Sequence, residues 1–562
     1  MAFTTLGSWF DANPAALKAH LKWLKARRAG KHSESQRGWL RELQNTFGCP
    51  FGQDTTLMKW NLKNHQDLYL AAMAKSASLS STAKAKRAAG PTSESFQRSE
   101  RDLRGLEKHE NFIVTSAVNN CHADPKFLAA LEQWRQETQG RILVNKIRYK
   151  NPQSRTEAEK TRPDEWWDKA LHPYMIEQEL RPHPLLSFMT RKAQATANNP
   201  LPAKLDSRTQ DRSAVFGHPQ LSMRTVATPQ NALPKILYSS GAVTEKLYSD
   251  TDAGDMAEFH HSHAAIIAEV RGDRFHLREV TWDSASEKFV DIDTQYTPTG
   301  VENAPRAAAL SMGDLHLGSE DPGVMEATFG PGGVMESVDP ENVFFHDTFD
   351  GVSVSPHDDK KLLLRAALAR RGHTSLAREL EYVGNWLNNL PVGPDYFVVP
   401  SNHDDFLDRW LQKGESGVEA ENLVLYHELC AAMLRAEAET GRFPPAISLA
   451  LPNHTAFNRE DVRFVEIDEN VIVRGIQCGA HGHLGPNGAR GAPGNMSRIG
   501  IKGVYGHIHS PRIWQGTYFA GTSSIYRLPY AKGPSGWMHS HVLTHDNGYR
   551  QMLHMIDNQF RG

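Results

Sequence analysis

The chain has 562 residues, 39% hydrophobic and 23% charged, with a formal net charge of -2. That length exceeds one hydrophobic core and suggests roughly three or four domains, while the near-zero charge says nothing about partners. No apolar leader and no apolar run of spanning length is present, which argues against a secreted or membrane protein and for the cytoplasm. The four cysteines, Cys49, Cys121, Cys430 and Cys478, form no CxxC pair, as expected in a reducing cytosol. Twenty-seven histidines raise the expectation of metal chemistry.

Residues 1–90 read as a basic helical domain. Asn13 can cap a helix opening at Pro14, with Leu17, Leu21 and Leu24 at helical spacing. A second helix near Gln36–Phe47 has Leu40, Leu43 and Phe47 on one face and stops at Gly48. A short turn leads to a third helix around Thr55–Lys63, a helix-turn-helix layout. This segment holds 14 Lys+Arg against 5 Asp+Glu, a net +9. Phosphate is the natural counter-charge, so DNA is the expected partner; a solvated face packed on the rest of the protein is the plainer alternative.

Residues 76–99 have linker composition. The accessory region 91–305 begins with a strand, Phe112–Val118, a helix, Pro125–Thr138, and a strand, Ile142–Ile147. Polar stretches at 150–165 and 193–213 read as loops. Short β-type runs follow at Ile236–Tyr238, Ala264–Val270 and Phe275–Trp282. His260-His261-Ser262-His263 lacks a carboxylate partner at a useful spacing, and reads as a surface or core cluster rather than a metal site.

Residues 306–562 carry the chemistry. A strand at Ala308–Met312 ends in Gly313-Asp314-Leu315-His316, and side chains at i and i+2 of an extended chain point the same way. Asp314 and His316 can therefore face one cation. Val343-Phe344-Phe345 leads to His346-Asp347. A helix with Leu376, Leu380, Val383, Leu387 and Leu390 on one face precedes a strand, Tyr396–Val399, that ends in Ser401-Asn402-His403-Asp404. A strand at Val471–Cys478 ends at His481-Gly482-His483, and Gly503-Val504-Tyr505 leads into Gly506-His507-Ile508-His509. Five predicted strand ends thus deliver Asp-x-His, Asp, Asn-His-Asp, His and His-x-His in order, where ligands collect in α/β sheets.

This ordered set resembles the motifs of the calcineurin-like metallophosphoesterase superfamily, which includes nucleases of the SbcD type. The resemblance spans about 306–530. Two positions depart from it: His346 stands where the family usually has Gly, and Ser401 stands where it has the Gly before Asn. Both lie beside the site and are expected to reshape substrate access. The resemblance implies an α/β fold, a four-layer metallophosphoesterase β-sandwich flanked by helices, preceded by the helical domain and the mixed α/β region. It implies two divalent metal ions bridged by Asp347. One would be held by Asp314, His316, Asp347 and His509, the other by Asp347, Asn402, His481 and His507. His403 would face the leaving-group oxygen, with Asp404 supporting it. Manganese is expected, with iron or zinc as alternatives, since mixed imidazole, carboxylate and amide ligands suit these better than calcium.

The chain as a whole is also similar to the pre-early host-DNA-degradation proteins of Tequintavirus-like phages, through Met312–Gly318, the His346–Asp350 segment and the His481-to-His509 spacing. That implies a manganese-dependent DNase in the bacterial cytosol, with a homo-oligomer left open. The alternatives are a small-nucleotide phosphodiesterase or phosphatase, and a DNA-binding regulator on an inactive phosphoesterase scaffold.

Overall fold

The computed structural model describes residues 6–28, 36–47, 49–50 and 110–562, the last apart from 150–165, 192, 230–231, 359, 416–417, 527 and 529–530. The chain divides into two compact units, Met1–Glu100 and Arg101–Gly562. The expected third helix at Thr55–Lys63 and the expected linker at 76–99 lie outside the described residues.

In the first unit, helices span Leu6–Ala12, Pro14–Arg28 and Gln36–Phe47. The Asn13 carbonyl accepts from the Leu17 amide, as an N-cap residue's does. Its side chain turns back instead, donating from Nδ2 to the Trp9 carbonyl at 2.9 Å. Leu24, Leu40 and Leu43 are buried with Trp9, Phe10, Trp23 and Trp39. Trp39 Nε1 donates to the buried His20 Nδ1 at 2.9 Å, which satisfies both polar atoms.

The second unit is mixed α/β, built on three large sheets. A six-stranded sheet runs in the order Val462–Phe464, Asp395–Val398, Asn342–Phe345, Ala309–Ser311, Ser540–Thr544, Arg550–His554. Its first four strands are parallel and its last two antiparallel. Alternation along these strands sorts the side chains between two cores. Leu310, Val343, Phe345, Tyr396, Val398 and Leu543 face a helical layer that includes Leu376, Leu380, Val383 and Leu387. Ala309, Phe344, Val542 and Met552 point to the opposite face. There they meet residues of a ten-stranded sheet, among them Phe188, Val215, Tyr238, Val504 and Tyr518.

The ten-stranded sheet changes the expected organisation. Its order joins strands between Ile472 and Phe519 to strands between Leu180 and Gly241, through the antiparallel pairing of Arg512–Trp514 with His218–Val226. No division falls at 305/306: strands from both sides of that position share one sheet and one core, and Arg101–Gly562 is a single compact unit. A five-stranded sheet contains strands Asn111–Val118, Arg141–Ile147, Ala264–Arg271 and Arg274–Thr281, each within a residue of an expected one. Helix Pro125–Thr138 covers one face of it through Phe127, Leu131 and Trp134.

Two local readings are corrected. The segment read as one strand from Val471 to Cys478 is a tight hairpin of Ile472–Val473 and Ile476–Gln477. Arg474 (φ 50°) and Gly475 (φ 78°) turn it, both with the positive φ that a two-residue hairpin requires. The 193–213 loop contains the short helix Lys204–Arg208.

Candidate metal centre

All nine expected site residues come together where strands of the two larger sheets end. Asp314 and His316 follow Ala309–Ser311, Asp347 follows Asn342–Phe345, and Asn402, His403 and Asp404 follow Asp395–Val398. His481 follows Ile476–Gln477 of the ten-stranded sheet, and His507 and His509 follow Gly503–Tyr505. The backbones of these loops are tied together: Asp314 N donates to the Gly521 carbonyl at 3.1 Å, and His316 N donates to the Asp347 carbonyl at 2.8 Å.

The two carboxylate oxygens of Asp347 face different donor sets. Oδ2 lies 3.4 Å from His316 Nε2 and 3.9 Å from His509 Nε2. His509 Nε2 is in turn 3.0 Å from Asp314 Oδ2 and 3.1 Å from His316 Nε2. Asp347 Oδ1 lies 3.4 Å from His481 Nε2. That nitrogen is 3.1 Å from Asn402 Oδ1, which is 2.9 Å from His507 Nδ1. Asp314, His316, Asp347 and His509 form a buried group whose ligand atoms all lie within 4.8 Å of one another, close enough to hold a metal ion.

The electrostatics fit a cation. Asp314 and Asp347 are almost wholly buried, and the charge of Asp347 raises the proton affinity of Asp314, yet both are held below the ordinary carboxylate range. Burial opposes their charge, and neighbouring histidines, chiefly His509 for Asp314 and His481 for Asp347, outweigh it. Asp314 Oδ1 and Asp347 Oδ1 are buried without a hydrogen-bond partner. Buried carboxylates are paired or bind metals, because an unpaired one is costly. Imidazole nitrogens packed against one another and against carboxylate oxygens are a donor set for a borderline divalent ion.

Four of these residues adopt left-handed backbone: His316 (φ 50°), Asp347 (φ 49°), His507 (φ 76°) and His509 (φ 53°). Each such residue costs on the order of 1–3 kcal/mol and persists where the surroundings dictate it, typically at functional sites. Gly506 is there for space rather than for φ: a Cβ would stand 2.1 Å from Asp314 Oδ1.

Asp350 is a site residue that reading the strand ends left without a role. Its Oδ1 lies 2.9 Å from His316 Nδ1 and 3.2 Å from His403 Nδ1. Its carbonyl lies 2.8 Å from His403 Nδ1. With Nδ1 of His316 engaged there, Nε2 is left to face Asp347, the usual arrangement for a metal-binding imidazole. The available signal was the second acid of Asp347-Thr348-Phe349-Asp350. Burial works against a charged His403, but the carboxylates of Asp347 and Asp350 carry it up to about 10. Behind Asp350, the half-buried Glu379 accepts from Val352 N and Ser353 N, both at 2.9 Å, and fixes the turn.

Asp404 does not support the His403 ring as expected. Its Oδ2 accepts from Ser401 N at 3.0 Å, while Ser401 Oγ accepts from His403 N and Asp404 N, both at 3.2 Å. This reciprocal pattern clamps the turn entering helix Asp404–Gln412, and burial together with the nearby Asp347 pushes Asp404 up to about 8. The two departures from the family pattern are also not at the opening. His346 and Ser401 are both 0% exposed, and His346 Nδ1 backs His481 Nδ1 at 3.4 Å.

The 260–263 cluster is structural. His261 is bound at Nδ1 by Tyr248 Oη (2.8 Å) and at Nε2 by the Thr244 carbonyl (3.1 Å). Among the described residues no metal-holding group includes it. No described helix is long and apolar enough to cross a membrane.

No family model matches the chain, and no solved structure does. Among curated proteins it is similar to "Protein A1" of Escherichia phage T5, at 29% identity over 468 residues, which is 81% of this chain and 83% of that protein.

Proposed function

We propose that this protein is a phage-encoded, divalent-metal-dependent deoxyribonuclease that hydrolyses DNA phosphodiesters at a two-metal site. The observation that carries the reading is the division of Asp347: each oxygen faces its own set of nitrogen and oxygen donors, which suits a carboxylate shared by two ions. Asp314, His316, Asp347 and His509 would hold one ion, and Asp347, Asn402, His481 and His507 the other. Manganese is the proposed physiological metal. Such ions supply Lewis-acid charge at the phosphate and lower the pKa of bound water toward neutrality.

The chain's own groups supply the rest. Asp347 and Asp350 together favour the charged form of His403 and Asp350 holds its Nδ1, so the ring can deliver a proton to the departing oxygen. Asp404 and Ser401 hold the turn on which His403 and Asn402 stand. DNA as substrate is supported by the net charge of +9 in residues 1–90 and by the similarity to a phage protein over four-fifths of the chain.

The test is hydrolysis of supercoiled plasmid and of bis-p-nitrophenyl phosphate with added Mn²⁺. Cleavage of both supports the nuclease. Cleavage of the small ester alone makes the protein a small-molecule phosphodiesterase. Cleavage of neither, with duplex retarded in a gel, makes it a DNA-binding scaffold.

A further inference from the structure

From Asn470 to His545 the chain runs 76 residues without one Asp or Glu, while carrying seven Lys or Arg. At the average density of the chain, such a stretch would hold about nine acids. The segment contains His481, His507 and His509, but the exclusion extends well past them to exposed positions, where carboxylates are ordinarily tolerated.

Within it, the loop Leu484–Lys502 leaves the centre at His483 and returns to it at Gly503. It is fastened at the rim. Gly491 N donates to the His483 carbonyl at 2.8 Å and Gly485 N to the Ala489 carbonyl at 2.6 Å. Met496 is buried against Tyr505 and Phe519, with Ala480 and Ile508 packed on the same cluster. Gly491 passes so close to Gly482 that a Cβ would stand 1.6 Å from the Gly482 carbonyl oxygen. Arg490 and Arg498 project from this anchored loop and are exposed. Among the described residues neither has an ion-pair partner, whereas Arg474 of the same segment pairs with Glu341 at 3.7 Å. Asp405 marks the acidic limit, 3.8 Å from His483 and itself paired with Arg409.

We infer that Leu484–Lys502 is a phosphate-holding arm of the centre, on which Arg490 and Arg498 grip DNA backbone phosphates flanking the one that is cleaved. Guanidinium groups suit this task because their forked donors match phosphate oxygens. Acids are excluded from the segment because each would repel the same polyanion. The inference rests on the reading of DNA as substrate.

The experiment compares the full-length wild type with the double variant R490E/R498E and, as a charge-matched control, R370E/R371E in the last turn of helix Leu362–Arg371. Duplex binding is measured in EDTA against salt, and the ratio of kcat/KM on DNA to that on bis-p-nitrophenyl phosphate is measured with Mn²⁺. In R490E/R498E the salt slope should fall by roughly 2 and the ratio by roughly tenfold or more, at a wild-type melting temperature. The control should change neither. Equal effects in both double variants, or none in R490E/R498E, would overturn the assignment. If wild type hydrolyses neither substrate, the nuclease reading fails by itself, and the salt slopes still decide whether the arm holds duplex. If R490E/R498E melts early, R490Q/R498Q replaces it, with half the charge change and a smaller but still resolved loss of slope.

Discussion

Gly506→Ala adds one methyl group to the tightest point of the centre. The new Cβ would stand 2.1 Å from Asp314 Oδ1 and 3.0 Å from His346 Cγ. A carbon and an oxygen do not pack much closer than about 3 Å, so the carboxylate must retreat by about 1 Å. It has nowhere to go: Oδ2 is held by His507 N at 2.8 Å and His509 Nε2 at 3.0 Å. Its backbone N and carbonyl are pinned to Gly521 and Ser523. A displacement of that size at a catalytic group costs about a hundredfold in rate. The stability cost should stay at about 1–3 kcal/mol, the usual range for an overpacked position, because Gly506 does not use left-handed backbone. The assays are metal content by elemental analysis, hydrolysis of bis-p-nitrophenyl phosphate, and thermal melting. Full metal content with unchanged turnover would refute the claim that Asp314 must sit where it does.

Asp347→Ala should reduce metal content from about two ions per chain, the number a two-metal site requires, and abolish hydrolysis while melting stays cooperative; near-wild-type turnover would end the two-metal reading. His403→Ala should keep both ions but slow DNA cleavage by about a hundredfold, with a smaller loss on p-nitrophenyl esters, whose leaving group needs little protonation. Equal loss on both substrates would remove the leaving-group role. Arg278→Ala strands the buried carboxylate of Asp291 and the half-buried one of Glu269, which it bonds at 2.5–2.9 Å, and should cost about 3–5 kcal/mol in urea unfolding; an unchanged midpoint would mean that water replaces it. Glu279, on the Arg274–Thr281 strand, is pushed by burial up to about 8. The folded state therefore holds this proton more tightly than the unfolded one, so its contribution to stability is full below pH 4.5 and is lost as pH rises to about 8. Glu279→Gln should gain on wild type across that window by about 1.4 kcal/mol per pH unit, and parallel stability–pH curves would contradict it.

The residues of the centre were legible one strand end at a time. Asp314-x-His316 and His507-x-His509 announce themselves because strand alternation is local, and short apolar runs such as Val343-Phe344-Phe345 mark the strands that carry the ligands. The helix face from Leu376 to Leu387 was legible for the same reason, as a period of 3.6 that needs no partner to be seen.

What joins them is not local. Asp350, rather than Asp404, meets the ring of His403, because that contact is set by where two parallel strands place their following loops 53 residues apart. Four site residues, Asp347 among them, take left-handed backbone, and nothing in the residue types calls for it. The role of the middle region was equally hidden: strand pairing between Arg512–Trp514 and His218–Val226 spans almost 300 residues of chain. Periodicity records which face of an element is apolar. The partner that covers that face, and therefore which loops meet, is chosen by packing among all the sheets at once, a property of the assembled core and not of any segment within it.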